Sequence, residues 1–191
     1  MSNKVFVGLL AVLIVGGIGF FAIIQKSKPK EPVIGVKHAS LGGTHIARGQ
    51  SHPAYNSDPP SSGWHYSDSG APTPWGVYTR QVQDEVFLHN EEHGGILITY
   101  NPALLPTDQL KKLQALFAPP YADATFSPSK AIVTPRPKDI HAIELAAWTY
   151  TLNLDSYNQA TLEKFYLQHV GQSPEPTAGP TNTPINEAAR R

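Results

Sequence analysis

Val5–Ile24 reads VFVGLLAVLIVGGIGFFAII, a run of 20 residues with no charged or polar side chain. At ~1.5 Å rise per residue, a helix of that length spans the ~30 Å hydrocarbon core of a bilayer. It has no amphipathic face, and lysines bracket it: Lys4 before, and Lys26, Lys28 and Lys30 after. A cleavable signal peptide has a shorter apolar core, about 7–15 residues, ending in small residues. This run ends Phe20-Phe21-Ala22-Ile23-Ile24-Gln25-Lys26, a poor cleavage site. The pattern predicts an uncleaved single-span anchor in the lipid bilayer.

The apolar pattern becomes regular again near the middle of the chain. Gly95–Tyr100 is a short apolar run with β-branched residues and predicts a strand over about 95–100. Leu110, Leu113, Leu116 and Phe117 fall on one face of a helix over about 107–117, with Thr107 or Asp108 as the expected cap. Lys130–Thr134 predicts a second strand, ended by Pro135 and Pro137. Ala142–Leu154 alternates and predicts a third strand over about 142–152, antiparallel to the second. Ser156 and Gln159 suggest a capping box before a helix over about 157–169, with Leu162, Phe165, Tyr166 and His169 on one stripe. The order β-α-β-β-α predicts an α+β fold: one small sheet covered by helices through Leu113, Phe117, Leu162 and Phe165. That order is similar to the later part of thioredoxin-like folds, an analogy of fold alone.

Turn-formers mark the other segments. Residues 1–4 form a short tail before the span, and 25–32 a Lys/Pro-rich linker. Residues 33–172 form the folded domain, loop-rich in its first half, where Ala54–Gly76 is dense in Pro, Gly, Ser, Asn and Asp. Interleaved Tyr55, Trp64, Tyr66, Trp75 and Tyr78 predict that this loop is ordered and packed. Residues 173–191 hold four prolines without apolar periodicity and read as a disordered tail.

Charge and composition narrow the chemistry. Lys+Arg and Asp+Glu are 15 each over the chain, yet residues 31–172 carry nine basic and 13 acidic side chains. A domain of that sign is not a nucleic-acid binder, which needs a basic face. There is no Cys and only one Met. Disulfides, iron–sulfur clusters, blue copper, thiol catalysis and Met-based copper(I) trafficking are therefore excluded. No G-x-S-x-G elbow accompanies Ser61, Ser62 and His65, so serine hydrolysis is discounted.

The chain has eight histidines, and six of them lie between residues 38 and 93. His89 and His93 are four apart, a spacing that aims both rings at one ion on a helix or a strand. Gly94-Gly95 then frees the backbone to turn. His89, Glu92 and His93 also match H-x-x-E-H, in which the Glu is a general base on zinc-bound water. Few folded residues are available for a peptidase of that type, and Glu144 is the only obvious further carboxylate.

The run Thr44-His45-Ile46, Tyr55–Tyr66 (YNSDPPSSGWHY), Gly76-Val77-Tyr78 and Leu88–Ile96 (LHNEEHGGI) resembles the pattern of the DUF3105 family. Ala146-Ala147-Trp148 and Ser173–Pro176 resemble its later landmarks, so the resemblance covers about residues 33–176. It marks His45, His65, His89, Glu92 and His93, and leaves out His38, His52, His141 and His169. Trp64 stands where the pattern has Pro. The family implies an N-terminal span or signal with the domain outside the cytoplasm, whereas Lys/Arg counting alone would place it inside. It implies no activity.

Chemistry and resemblance meet at the same residues. His45, His65, His89 and His93 are enough ligands for a transition-metal ion, with copper or zinc expected outside the cytoplasm. Glu92, Asn90, Asp58 and Tyr66 are the expected groups orienting those ligands from behind, and Trp64 and Tyr66 the expected pocket wall. The chain thus reads as a membrane-tethered extracytoplasmic metal-binding domain for storage, delivery or sensing. The competing readings are a non-metal interaction or scaffold module with an extracytoplasmic or membrane protein partner, and an extracytoplasmic metalloenzyme.

Overall fold

A computed structural model describes residues 31–190 except Ala124. The expected anchor, Val5–Ile24, lies outside the described residues. Among the described residues no helix is long and apolar enough to cross a membrane.

Four two-residue strands come first: β1 (Val36–Lys37), β2 (His45–Ile46), β3 (His65–Tyr66) and β4 (Gly76–Val77). Helix α1 (Asp84–Glu92) leads into β5 (Ile96–Tyr100), then α2 (Thr107–Phe117), β6 (Ala131–Pro135), β7 (Ile143–Ala147), β8 (Tyr150–Leu154) and α3 (Gln159–His169). A last strand, β9 (Ile185–Asn186), precedes a 3-10 turn. The main sheet runs β1-β8-β7-β5-β6-β4-β9, and β2 and β3 pair separately.

β5 and β6 are parallel, the crossover running through α2, whereas β7 is antiparallel to both β5 and β8. Every residue of β5 is buried, as a strand covered on both faces requires. Its alternation sorts the core into two. Ile96, Ile98 and Tyr100 join Val133, Leu145, Leu113, Phe117, Leu162 and Phe165 beneath α2 and α3. Leu97, Ile132 and Ala146 join Trp75, Ile46, Tyr66 and the Val86-Phe87-Leu88 stretch of α1. The protein is therefore α+β in three layers, with α1 and the long loop on the face opposite α2 and α3.

Several expectations need correction. The single strand over 142–152 is a hairpin, β7 and β8, and its partner in the sheet is β5 rather than the second predicted strand. Thr149 makes the turn with φ of 65°. Its N–H donates to Ser61 O at 2.7 Å, and its carbonyl accepts from His38 N at 2.8 Å, so contacts from the first half hold it in that conformation. Neither Thr107 nor Asp108 caps α2; Pro106 precedes it with no side-chain cap. Asn158, not the Ser156/Gln159 pair, caps α3, accepting from Thr161 N at 3.1 Å. Gln159 instead donates to Glu163, one turn along the helix.

The stretch expected to be a disordered tail is folded. β9 pairs in parallel with β4. The Trp75 indole N–H donates to Pro180 O at 2.8 Å, and the Asn182 amide accepts from Trp75 N and donates to Trp75 O. Glu187 accepts from Thr79 N and its hydroxyl. Amide and carbonyl partners supplied by the sheet edge replace the apolar stripe that the tail lacks.

A buried cation fixes the loop and α1 to the sheet. Arg136, fully buried just after β6, pairs with Asp139, with Asp84 in the first turn of α1, and with Asp58 of the long loop. The carboxylates offset the cost of desolvating the guanidinium, whose fork donates to all three.

Candidate metal centre

The site is built where β2, β3 and the C-terminal end of α1 meet. β2 and β3 are parallel, with His45 opposite His65. Gly63 N–H donates to Gly42 O at 2.8 Å and His65 N–H to Thr44 O at 3.1 Å, which zips the two segments together. His89, Glu92 and His93 stand at i, i+3 and i+4, so they share the end of one helix face. The helix stops there because Gly94 takes φ of 79°, with Gly94 N–H on Glu91 O and Gly95 N–H on Asn90 O. That pair of bonds is a Schellman ending, which places a glycine where a side chain would be strained.

The rings converge. Centroid separations are 4.9 Å for His45–His65, 5.0 Å for both His45–His89 and His65–His89, and 4.5 Å for His89–His93. One donor atom from each of His45, His65, His89 and Glu92 lies within 4.8 Å of the others. A metal with bonds of ~2.0–2.2 Å needs only a small inward movement of such a set. His65, His89 and Glu92 are buried, whereas the His45 side chain is 50% exposed and forms the open side.

Two backbone carbonyls orient the buried rings. His65 Nδ1–H donates to Gly63 O at 2.9 Å, and His89 Nδ1–H to Tyr66 O at 2.7 Å. Each ring then keeps Nε2 as its free donor atom. His65 Nε2 lies 3.1 Å and His45 Nε2 3.4 Å from Glu92 Oε2. In a neutral His65 the Nε2 lone pair faces a carboxylate lone pair, an arrangement that a cation resolves. Metal-bound histidines commonly show this pattern, one nitrogen on the ion and the other N–H on a carbonyl.

His93 departs from the expected four-histidine set. It groups instead with Glu92 and Glu175, with His93 Nε2 3.4 Å from Glu175 Oε2. Glu92, expected behind the ligands, stands among them. Tyr66 meets the His89 ring through its carbonyl rather than its phenol. Asn90 ties the loop to α1, accepting from Thr73 N at 3.0 Å and donating to Thr73 O at 2.8 Å. Asp58 pairs with Arg136 instead. Trp64 stacks on His52, and Tyr66 lies beneath Arg48. Trp148 lies 3.5 Å from where a Cβ on Gly43 would sit.

The remaining histidines have other partners. His38 bonds Thr151, His141 bonds Asp155, and His169 donates to Ile34 O while packing on Tyr150 and Phe165.

Gly43 is the residue whose role only the structure discloses. A Cβ there would sit 1.9 Å from Glu92 Oε1. Gly43→Ala must therefore displace the carboxylate, and metal affinity is expected to fall about 10–100-fold, as for groups that position a ligand. Competition against a chromophoric chelator measures it.

Burial pushes the His89 pKa down to about 4, only partly opposed by its bond to Tyr66 O, with His93, His65 and His45 adding repulsion. The ring is thus neutral and ready for metal throughout the neutral range. Unfolded, it titrates near ~6.5. The unfolded chain therefore binds more protons as pH falls from about 6.5 to about 4, and the metal-free protein should lose stability over that window. Urea midpoints of the apo protein across that range should fall, with a shallower fall in His89→Phe.

Glu91, beside these groups on α1, is fully buried with neither carboxylate oxygen hydrogen-bonded. Burial, with help from Asp84, pushes its carboxyl well above the ordinary range. Of the pair, Glu92 is the one that sits among the rings.

A family model described as "Protein of unknown function (DUF3105)" matches residues 45–182, well over half of the chain, including every donor named above. No curated protein and no solved structure matches.

Proposed function

We propose, from the premise that the chain belongs to the DUF3105 family, that its domain binds one transition-metal ion through His45, His65, His89 and Glu92. The observation that carries this reading is the pair of carbonyl-anchored imidazoles, His65 and His89, which leave their Nε2 atoms free beside a buried carboxylate. Three imidazoles and one carboxylate suit Zn(II) and Cu(II), with Cu(II) the tighter by the general order of divalent affinities. The lack of any thiolate argues against Cu(I).

His45 gives the site one wet side, so an ion can enter and leave without the domain opening. That favours storage, delivery or sensing over a permanently closed structural site. The H-x-x-E-H geometry does not favour a peptidase. Its Glu must stand free as a base, but Glu92 stands among the donors and His93 belongs to a different set.

The 20-residue apolar run Val5–Ile24 supports tethering to the bilayer. The family resemblance supports a domain outside the cytoplasm, with copper or zinc as the expected ion. Metal analysis of the full chain, purified without a histidine tag and equilibrated with Zn(II) or Cu(II), tests the binding. A topology reporter fused after Arg191 tests the orientation and should be active only outside the cytoplasm.

A further inference from the structure

We propose that a second divalent cation binds next to the first, held by Glu92, His93 and Glu175, with the Glu92 carboxylate shared between the two ions. The proposal rests on the first site, because Glu92 is common to both.

One donor atom from each of Glu92, His93 and Glu175 lies within 4.8 Å of the others. His93 is 6% exposed, and its Nδ1 has no hydrogen-bond partner. Gly179 closes over that side of the ring: a Cβ there would sit 2.8 Å from Nδ1. The other ring nitrogen, Nε2, faces Glu175 at 3.4 Å. A buried imidazole with one nitrogen covered and the other turned to a carboxylate is a ligand in place.

Glu175 is held there by its backbone. Its N–H donates to Glu92 O at 3.0 Å, and Gly171 N–H donates to Gly94 O at 2.9 Å. Lys130 Nζ clamps both sides of the crossing, donating to His93 O at 2.8 Å and Pro176 O at 2.7 Å. The chain after α3 thus runs as a strap across the C-terminal end of α1. That end carries the negative pole of the helix dipole, which favours a cation. One carboxylate can serve two cations, through one oxygen to each or both through one.

The charges set the order of filling. Two dications face two carboxylates, Glu92 and Glu175, and Lys130 adds a nearby positive charge. Glu175 is also 57% exposed, so water completes the coordination. The His45–His65–His89–Glu92 site fills first and tightly, and the strap site fills second and weakly. One imidazole and two carboxylates make a harder donor set than the first, which suits Zn(II), Mn(II) or Fe(II).

The test is a Zn(II) titration of the full, untagged chain, followed by calorimetry and elemental analysis. Wild type should bind two Zn(II), one tight and one weaker. Glu175→Gln, at an exposed position that leaves the fold intact, should bind one Zn(II) with the tight affinity kept. His65→Ala should lose the tight ion, and Glu92→Gln both. One Zn(II) in both wild type and Glu175→Gln would overturn the second site and leave the first standing. Two in both, or none in Glu175→Gln, would overturn it as well. No Zn(II) in wild type would remove both sites.

Discussion

His65→Ala is expected to remove the tightly held ion outright. The ring is fully buried, its Nδ1–H is committed to Gly63 O, and its Nε2 lies 3.1 Å from Glu92 Oε2. His38, His52, His141 and His169 are each engaged elsewhere. Glu92→Gln keeps the shape and removes the charge, and should lose the ion too, because an amide is a poor ligand beside three neutral imidazoles. His169→Ala is the control. It deletes a buried ring packed on Phe165 and Tyr150, so it costs stability, yet it should retain the tight ion. Elemental analysis of the three variants, each checked for folding by circular dichroism, separates these outcomes. Equal retention in all three would mean that the rings converge for packing alone.

Arg136→Met should cost about 3–5 kcal/mol of unfolding free energy, the usual penalty for stranding buried charges. Arg136 and Asp139 side chains are wholly buried, and Asp84 is 16% exposed. Without the guanidinium, Asp139, Asp84 and Asp58 would repel one another, with Glu144 near. Burial already pushes the carboxyls of Asp139 and Glu144 upward. The same cation joins the long loop to the start of α1, so its loss also loosens the frame that brings His65 to His89. Urea unfolding measures the first effect, and metal affinity of the folded fraction the second. A loss below about 1 kcal/mol, the range of an exposed pair, would contradict the clamp.

Elements whose cause is local could be read from the chain. Thr107–Phe117 is a helix because its apolar residues fall on one face, and β5 and β6 are short β-branched runs bounded by Gly or Pro. Elements made by distant contacts could not. Trp148-Thr149 carries no turn signature; Ser61 and His38 hold it in place. The 173–190 strap has no apolar stripe, and it is folded by Trp75, Lys130 and the edge of β4.

The candidate site divides in the same way. The spacing of His89 and His93 announced a shared face, and the long motifs pointed to His45 and His65. Spacing does not say which donors share one hole. That depends on the β2–β3 register, on the helix ending at Gly94, and on Gly43 leaving room for a carboxylate. So Glu92 moved in among the donors, and His93 moved out to meet Glu175, a residue whose surroundings in sequence are all turn-formers. Asn90 and Asp58 sit near the motif in sequence but serve the scaffold.

X-ray absorption at the metal edge tests the central claim most directly. With one equivalent of Zn(II) bound to the full, untagged chain, the account predicts three imidazole nitrogens and one carboxylate oxygen at about 2.0–2.2 Å. One imidazole should be lost in His45→Ala, whose ring stands at the open side. A shell of oxygen alone, or wild-type protein that takes up no metal, would contradict it.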